Sequence, residues 1–374
     1  MTMVGTKLEE KMLQIFEHLH THPEVSWKEE ETTKYIINLL KSEGVSVYTF
    51  DDCTGLVAEI GSGKPTIGVR ADIDALWQEV DGQYQANHSC GHDAHMTMVI
   101  GTILSLKDKI TNGTVRFIFQ PAEETGSGAL KMVEKGIADD LDYLFGVHLR
   151  PVEELPNGKA SPSIRHGAAA FLVGKVEGSD AHGARPHQGI NAIDVLMTLN
   201  AQLKTITLSP FEVYSIKMTK LQAGGKSLNI IPGTAEFALD VRAQKNEVLE
   251  QLQQLVEEKI QKVKSLYDVE LKAKWLDFTP GAEVSSEAEQ FLREGIVQAL
   301  GKEALADPVI TSGSDDFHFY TIKRPKLKAS MLGLGADLKP GLHHPKMTFD
   351  TNRLKDGTSV IAASILNVLN QEID

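Results

Sequence analysis

The chain carries an α/β pattern that stops in the middle of the sequence and resumes near its end. Over residues 1–166, short apolar strand-like runs alternate with segments whose apolar residues recur at helical spacing. This alternation is typical of a mainly parallel sheet covered by helices. Over residues 167–283 the predicted order is β-α-β-β-α-β, the ferredoxin-like split unit, and the α/β pattern returns over residues 284–374. The sequence therefore predicts two domains, one α/β domain built from both ends of the chain and a smaller ferredoxin-like domain inserted into it.

One helix boundary is predicted from a local signature. Ser26 is followed three residues later by Glu29, as in a capping box. This spacing predicts a helix that begins at Ser26 and ends near Gly44. A further helix is predicted over residues 95–110, from its run of apolar residues.

The composition argues against several classes of protein. The net charge of −13 disfavours a nucleic acid or an anionic membrane as partner, since both require a basic surface. No apolar stretch approaches the roughly 20 residues that span a bilayer, and the N-terminus lacks the pattern of a signal peptide. The two cysteines, Cys53 and Cys90, are too few for a disulfide scaffold. We therefore expect a cytoplasmic protein that binds neither nucleic acid nor membrane.

Residues 88–95 are dense in side chains that can bind metals. They include His88, Cys90, His92 and His95. Thiolates and imidazoles are good ligands for a borderline divalent metal. Asp93 could orient a ligating histidine from behind. The alternative is a helix N-terminus that happens to be rich in polar residues.

More candidate ligands follow predicted strands. Glu123 and Glu124 come directly after an apolar strand, His148 ends another, and His343 and His344 follow a strand near the C-terminus. In open α/β sheets, ligands gather at the carboxyl ends of strands. The alternatives are a solvated acidic loop for the glutamates, a hydrogen-bonded structural histidine at the strand end, and an ordinary loop near the C-terminus.

Together these segments offer a thiolate, a carboxylate and several imidazoles, which is more than one closed zinc site uses. Two metal ions that share a bridging ligand would use them, as in two-metal hydrolases. A remaining carboxylate would then serve as general base and later as acid to a leaving amine. The donors suit Zn²⁺ or Mn²⁺, with Co²⁺ and Ni²⁺ as further options.

The inserted domain adds three candidates of its own. His182 lies between a predicted strand and a predicted helix, where it could donate to a developing oxyanion. Asn229 and Arg242 lie on the same domain, and arginine suits a carboxylate clamp for the substrate. A surface histidine and a structural salt bridge are the respective alternatives for His182 and Arg242.

In this order, the segments resemble the M20 family of metallopeptidases, in its amidohydrolase branch of N-acyl-amino-acid deacylases such as aminoacylases. The resemblance extends over nearly the whole chain. It differs at Asp315, where the family usually has glutamate, and at Ala181, where it usually has glycine. The pair Leu342-His343 matches the family motif, which favours His343 over His344 as the metal ligand. The motifs that carry the resemblance are Arg70-Ala-Asp72-Ile-Asp74-Ala-Leu76, Cys90-Gly-His92-Asp93-Ala-His95, Gln120-Pro-Ala-Glu123-Glu124, His148, His182 with Arg185-Pro186-His187, Asn229-Ile-Ile-Pro232, Gly313-Ser-Asp315-Asp316-Phe317 and Leu342-His343.

The resemblance implies a role for each of these residues. Cys90 would bridge two divalent metal ions, and Glu123 would be the general base and acid. His182 would reach the site from the inserted domain, which would act as a lid and as the surface of a homodimer. Asp74 would orient a neighbouring group rather than bind metal. The remaining metal ligands would be His92, Glu124, His148 and His343.

The predicted function is hydrolysis of the amide bond of an N-acyl amino acid, or a related small amide, by a metal-activated water. Three alternatives stay open. One is a dipeptidase or aminopeptidase on the same scaffold, and another is a catalytically inactive metal-binding oligomer. The third is an enzyme in which Cys90 is a redox or nucleophilic thiol.

Overall fold

The computed structural model describes residues 4–371, and the chain forms two compact units. The first unit runs up to Arg165 and also contains Glu283–Ile310 and the chain from Asp316 onward. The inserted unit contains His166–Ala282 together with Thr311–Asp315. The latter segment lies within the range that the sequence assigned to the other domain. It joins the inserted unit because the carbonyl groups of Thr311 and Gly313 accept hydrogen bonds from the backbone of Gly167.

The helices and strands alternate along the chain. Up to His166 they are α1 (Thr6–Thr21), α2 (Glu30–Ser42), β1 (Ser46–Thr49), β2 (Leu56–Ser62), β3 (Thr66–Asp72), β4 (Leu76–Val80), β5 (Gln83–Asn87), α3 (His92–Leu106), β6 (Gly113–Gln120), α4 (Gly128–Glu134), β7 (Tyr143–Pro151), β8 (Ala160–Ser161) and β9 (Ile164–His166). The next elements are β10 (Ala168–Glu177), β11 (Ala181–His182), α5 (Ala192–Leu203), β12 (Tyr214–Ala223), β13 (Ile230–Ile231), β14 (Thr234–Ala243), α6 (Asn246–Tyr267) and β15 (Glu270–Thr279). The last are α7 (Ser286–Leu300), β16 (Val309–Thr311), α8 (His318–Lys323), β17 (Lys328–Leu338) and α9 (Leu354–Leu369).

A seven-stranded sheet in the order β1-β2-β6-β3-β7-β17-β8 forms the centre of the first unit. The central neighbours β6, β3, β7 and β17 run parallel, whereas β1, β2 and β8 pair antiparallel at the edges. Every residue of β3 is buried, as expected for a parallel strand covered on both faces. The mainly parallel central sheet predicted from the sequence is confirmed.

Helix α3 packs against the sheet and between other helices of the first unit. It contacts α1, α9 and β3, and nearly all of its residues are buried. At Gly101 a Cβ atom would lie 2.8 Å from both the sulfur of Met12 and Oγ1 of Thr358. A larger residue would force these side chains of α1 and α9 to shift, so the glycine lets them pack closely against the backbone of α3. This packing holds the start of α3 in place, where several of the predicted site residues lie.

The inserted unit contains a four-stranded antiparallel sheet in the order β12-β14-β10-β15. Its elements follow one another as β10-α5-β12-β14-α6-β15. Alternate residues of β14, among them Phe237 and Leu239, are buried in a core that also contains residues of α5 and α6. This core is separate from that of the first unit, so the chain buries its apolar residues in two places.

Three local features differ from the sequence-based expectations. Helix α2 begins at Glu30 rather than Ser26, because the Ser26 hydroxyl donates to Oδ2 of Asp74 (2.6 Å) instead of capping a helix. Helix α3 begins at His92, three residues before its predicted start. The hairpin β4–β5 was not predicted, although its Asp81-Gly82 turn has the left-handed φ values of 50° and 83° that favour a two-residue hairpin. In the described part of the chain, every helix is too short or too polar to cross a bilayer.

Candidate metal centre

The candidate ligands lie after or near the carboxyl ends of neighbouring strands and at the start of α3. Glu123 and Glu124 follow β6, His148 lies in the second half of β7, and His343 follows β17. Cys90 precedes α3, and Gly91 turns the chain into the helix with a left-handed φ of 85°. Since β6, β7 and β17 are parallel strands of one sheet, their carboxyl ends lie at the same edge.

Two groups of donor atoms overlap at one sulfur. Cys90, His92 and His148 form one group, and Cys90, Glu124 and His343 form the other, with donor atoms within 4.8 Å of one another in each. Sγ of Cys90 lies 3.6 Å from Nε2 of His148, and Nε2 of His343 lies 3.5 Å from Oε2 of Glu124. The structure thus brings together all five residues that the family resemblance implied as ligands. The neighbouring His344 instead accepts a hydrogen bond at Nδ1 from the backbone of Lys346.

Glu123 lies beside these groups. Oε2 of Glu123 and Oε1 of Glu124 each lie 3.8 Å from Nε2 of His92. The two carboxylates follow Ala122, which has a left-handed φ of 53° and donates its backbone N–H to Oε1 of the buried Glu29. A buried carboxylate therefore holds the turn from which both glutamates project.

Asp74 orients His92. Nδ1 of His92 lies 2.9 Å from the carbonyl oxygen of Asp74 and 3.2 Å from its Oδ1, so this nitrogen carries the proton. The other nitrogen, Nε2, is therefore the lone-pair donor, and it lies on the side of Glu123 and Glu124. Oδ2 of Asp74 also accepts from the backbone N–H of Glu124 (3.0 Å), so Asp74 contacts both His92 and the segment that carries Glu124.

Buried atoms without partners test whether a metal fits here. Nε2 of His92 and Oε1 of Glu124 are buried and have no hydrogen-bond partner among the described residues. A buried polar atom left unpaired costs about 1–3 kcal/mol. Together with a buried thiol, these atoms form a donor set of sulfur, nitrogen and oxygen that suits a transition metal. The residues fit bound divalent ions.

The third histidine of the segment, His95, is hydrogen-bonded at both ring nitrogens. Nε2 accepts from the backbone N–H of Leu149 (3.0 Å), so Nδ1 carries the proton and donates to Oδ1 of Asp72 (2.7 Å). The His95 ring also packs against that of His148, with centroids 4.4 Å apart. His95 thus packs against the candidate ligand His148, and both of its own ring nitrogens are already hydrogen-bonded.

The pKa values at this site are consistent with a place for cations. Burial and the neighbouring charge of Glu124 raise the pKa of the Cys90 thiol well above its ordinary value. Burial also raises the pKa of Glu124 to about 7. Burial, reinforced by His95, lowers the pKa of His148 well below its ordinary value, so its imidazole is neutral. Without a bound cation the thiol and carboxyl therefore hold protons that metal binding would displace.

Asp93 contacts a residue other than the predicted ligands. Its Oδ2 lies 2.6 Å from Nδ1 of His20 on α1, and its Oδ1 accepts from the backbone of Ala94. The expected contact with a ligating histidine is therefore replaced by a contact between helices. His88, which precedes Asp93 in the same segment, is also buried. Neither of its ring nitrogens has a hydrogen-bond partner among the described residues.

Arg70 lies at the centre of a buried polar network next to the candidate ligands. Its guanidinium donates to Asp72 (2.6 Å), to Asp316 (2.7 Å) and to Gln120 (3.0 Å). Gln120 in turn donates to Asp316, so the ends of β3 and β6 are joined to the segment before α8. An arginine within the apolar run of β3 was a signal for this network in the sequence.

The three candidates of the inserted unit lie on its strands or next to them. His182 pairs with Ile230 between β11 and β13, and Asn229 accepts at its carbonyl from the N–H of Gly183 (2.7 Å). Nδ1 of His182 accepts from the backbone N–H of Ala184 (3.0 Å), which places the proton on Nε2. Arg242 forms a salt bridge with Asp240 (2.9 Å), the structural alternative considered for it.

Comparisons with known proteins agree with this site. Residues 68–367 match Peptidase family M20/M25/M40. An N-acetyl-L-cysteine deacetylase of Bacillus subtilis is 31% identical over 372 residues, covering 96% of this chain and 86% of that protein. A thermostable carboxypeptidase of Saccharolobus solfataricus is 29% identical over 341 residues, covering 85% of each chain.

A solved structure extends the similarity to the whole fold. It is a Bacillus subtilis protein described as a dinuclear metal binding peptidase from the M20 family. The two chains superpose with a TM-score of 0.81 at 26% identity, covering 98% of this chain and all of the other. With this fold, this set of candidate ligands and a family match over most of its length, the chain belongs to peptidase family M20 and is a metal-dependent hydrolase of amide bonds.

Proposed function

We propose that the protein hydrolyses N-acyl amino acids, or closely related small amides, with two divalent metal ions bound at the candidate centre. The observation that carries the proposal is the position of Cys90, which belongs to both donor groups. A single structural zinc site would not use five ligands in two overlapping groups. The similarity to an N-acetyl-L-cysteine deacetylase supports an N-acyl amino acid as the substrate class.

The ligand assignment follows the two groups. His92 and His148 would hold one ion, Glu124 and His343 would hold the other, and Cys90 would be shared. Sulfur and imidazole donors favour Zn²⁺, Co²⁺ or Ni²⁺, and the carboxylate also admits Mn²⁺. When bound, such a pair polarises the carbonyl oxygen and lowers the pKa of the attacking water.

Glu123 would move the proton of the reaction. Its carboxylate stands beside His92, and the two donor groups that share Cys90 are complete without it. It would accept the proton of the attacking water and deliver it to the nitrogen of the departing amino acid. The C–N bond then breaks with the amine leaving in its neutral form.

The inserted unit would supply contacts to the substrate. His182 carries its ring proton on Nε2, so this atom is a donor suited to a developing oxyanion. Asn229 is next to it across the β11–β13 pair and would contact the substrate. Arg242 would bind the carboxylate of the amino acid, exchanging its partner Asp240 for the substrate. In this proposal the inserted unit, ferredoxin-like in its strand order, acts as the lid and forms a homodimer.

A substrate comparison tests the proposed specificity. The protein is stripped with a chelator, reloaded separately with Zn²⁺, Mn²⁺, Co²⁺ or Ni²⁺, and assayed with N-acetyl amino acids and unblocked dipeptides. We expect kcat/KM at least tenfold higher for the N-acetyl compounds and no turnover before reloading. Faster cleavage of dipeptides would assign the protein to the peptidases. Full activity after chelation would instead favour Cys90 as a nucleophile.

A carboxypeptidase is the second candidate, because one relative bears that name. The two activities share a chemical pattern, since an N-acyl amino acid and the C-terminal residue of a peptide both present an acylated amino acid with a free carboxylate. Peptides with blocked N-termini distinguish them. Cleavage of blocked peptides of three or more residues at rates equal to those of N-acetyl amino acids would favour the carboxypeptidase.

A further inference from the structure

The hairpin β4–β5 connects two parts of the candidate metal centre along the chain. It begins two residues after Asp74 and ends three residues before Cys90. Its turn residue Asp81 forms a salt bridge with Lys346 (2.7 Å), and Asn87 donates to the carbonyl oxygen of Pro345 (3.0 Å). The hairpin therefore contacts the loop that carries His343.

His343 needs such support more than the other candidate ligands do. Its side chain is 55% exposed, whereas those of His92 and Glu124 are 0% and 9% exposed. Its backbone has a left-handed φ of 65°, a conformation that is unfavourable for a residue other than glycine. Packing alone therefore does not hold this imidazole in place, and its backbone conformation must be stabilised by specific contacts.

Both backbone polar groups of His343 are hydrogen-bonded to one small network. Its N–H donates to the carbonyl oxygen of Ser89 (2.8 Å), and its carbonyl oxygen accepts from Nε2 of Gln78 (2.9 Å). Oε1 of Gln78 accepts from the Ser89 hydroxyl (2.9 Å) and from Asn87 (3.0 Å). Gln78, Ser89 and His343 thus form a closed ring of hydrogen bonds.

The ring connects two ligands proposed for the same ion. Ser89 is the residue directly before Cys90, and Cys90 and His343 belong to one donor group. A bond at the N–H alone would leave the following peptide free to rotate. The second bond, from Gln78, fixes the carbonyl and so fixes the backbone conformation at His343.

We propose that Gln78 is a positioning residue that holds His343 in place for the metal ion shared by Cys90, Glu124 and His343. The inference rests on the proposed function, since it takes His343 as a ligand. Gln78 would act through the backbone of His343 and touch neither ion nor substrate. Its loss should weaken the binding of that one ion by about tenfold or more, as for other residues that orient ligands.

The test is a titration of the chelator-stripped full-length protein with Co²⁺, followed by visible absorption and by calorimetry. Gln78→Met removes both hydrogen-bonding groups at similar size. His343→Ala identifies which binding step uses His343. We expect Gln78→Met to weaken the same step that His343→Ala removes, with the other step changed by less than about threefold. The absorption of that cobalt ion should also shift, since its ligand geometry is altered.

Gln85 provides a matched control. It lies directly opposite Gln78 in the hairpin and on the same face, but its side chain is exposed. Gln85→Met should bind both ions as the unaltered protein does. The thermal unfolding temperature of the metal-free Gln78→Met protein should also stay unchanged.

Other outcomes overturn the inference in distinguishable ways. Unaltered Co²⁺ binding in Gln78→Met, with a step lost in His343→Ala, would refute the positioning role and leave the proposed function intact. If the His343→Ala protein still shows both Co²⁺ binding steps unchanged, His343 is not a ligand and the assignment itself is refuted. Equal weakening of both steps in Gln78→Met, with a lower unfolding temperature before metal is added, would assign Gln78 a general structural role.

Discussion

Sγ of Cys90 lies 3.6 Å from Nε2 of His148, and the same sulfur belongs to the donor group of Glu124 and His343. One side chain therefore stands between two candidate metal positions. A substitution of Cys90 should weaken the binding of both ions, whereas a substitution of any other candidate ligand should weaken the binding of one ion.

Replacing Cys90 by serine should remove tight binding of both metal ions. A serine hydroxyl stays protonated and is a weak ligand for the metals that thiolates prefer. The metal content after dialysis, measured by mass spectrometry, should fall from about two ions per chain to less than one. Cys53→Ser is the matched control and should retain both ions, because Cys53 packs against an apolar cluster and belongs to neither donor group. Equal loss in the two variants would contradict a bridging role.

Replacing Glu123 by glutamine should separate catalysis from metal binding. The amide cannot accept the proton of the attacking water, so kcat should fall by roughly 10²–10⁴-fold. Metal content should remain as in the unaltered protein. Glu124→Gln should instead lose metal. Glu134 lies on α4 and pairs with Lys131, so Glu134→Gln should change neither turnover nor metal content. Unchanged turnover in Glu123→Gln would exclude it as the base.

Metal affinity should rise with pH. The pKa of the Cys90 thiol is raised well above its ordinary value, and that of Glu124 is raised to about 7, so both groups hold protons at pH 6. Metal binding must displace these protons, which lowers affinity at acidic pH by about tenfold per pH unit for each proton released. Calorimetric Co²⁺ titrations at pH 6, 7 and 8, in two buffers of different ionisation enthalpy, measure the affinity and the number of protons released. An affinity that is constant over this range would contradict the protonation states described here.

Replacing Arg70 by methionine should destabilise the first unit. Arg70 is fully buried and pairs with Asp72 and Asp316, whose carboxylates are also buried. Without the guanidinium both buried carboxylates would lose their cationic partner and keep only hydrogen bonds such as those from His95 and Gln120, which costs about 3–5 kcal/mol in the free energy of unfolding. Urea denaturation of the metal-free protein measures the change. Lys220→Met, which breaks the exposed pair with Glu236, should cost no more than about 1 kcal/mol.

The strands, helices and ligand-bearing segments could be predicted because their signals are local. The apolar runs that become β3, β6 and β7 mark buried parallel strands. The rule that sites form at the carboxyl ends of such strands then directs attention to Glu124 and His148. In these cases a short piece of sequence contains the relevant information.

Contacts between distant segments account for what was missed. Ser26 has the local signature of a helix cap, but its hydroxyl bonds Asp74, 48 residues away. Asp93 bonds His20, 73 residues away, rather than a ligand next to it. Gln78 and His343 are 265 residues apart. Such pairs are determined by the packing of the whole unit, and a pattern within a few residues does not contain them.

The spread of the donor groups along the chain has a consequence for synthesis on the ribosome. Cys90, His92 and His148 have all been translated before the inserted unit begins at His166. The other group must wait for His343, which emerges only after that unit and after strand β17. A nascent chain interrupted before this point would carry one complete donor triad and two of the three donors of the other. On the proposed ligand assignment, the second ion can be bound only after β17 and His343 have been synthesised.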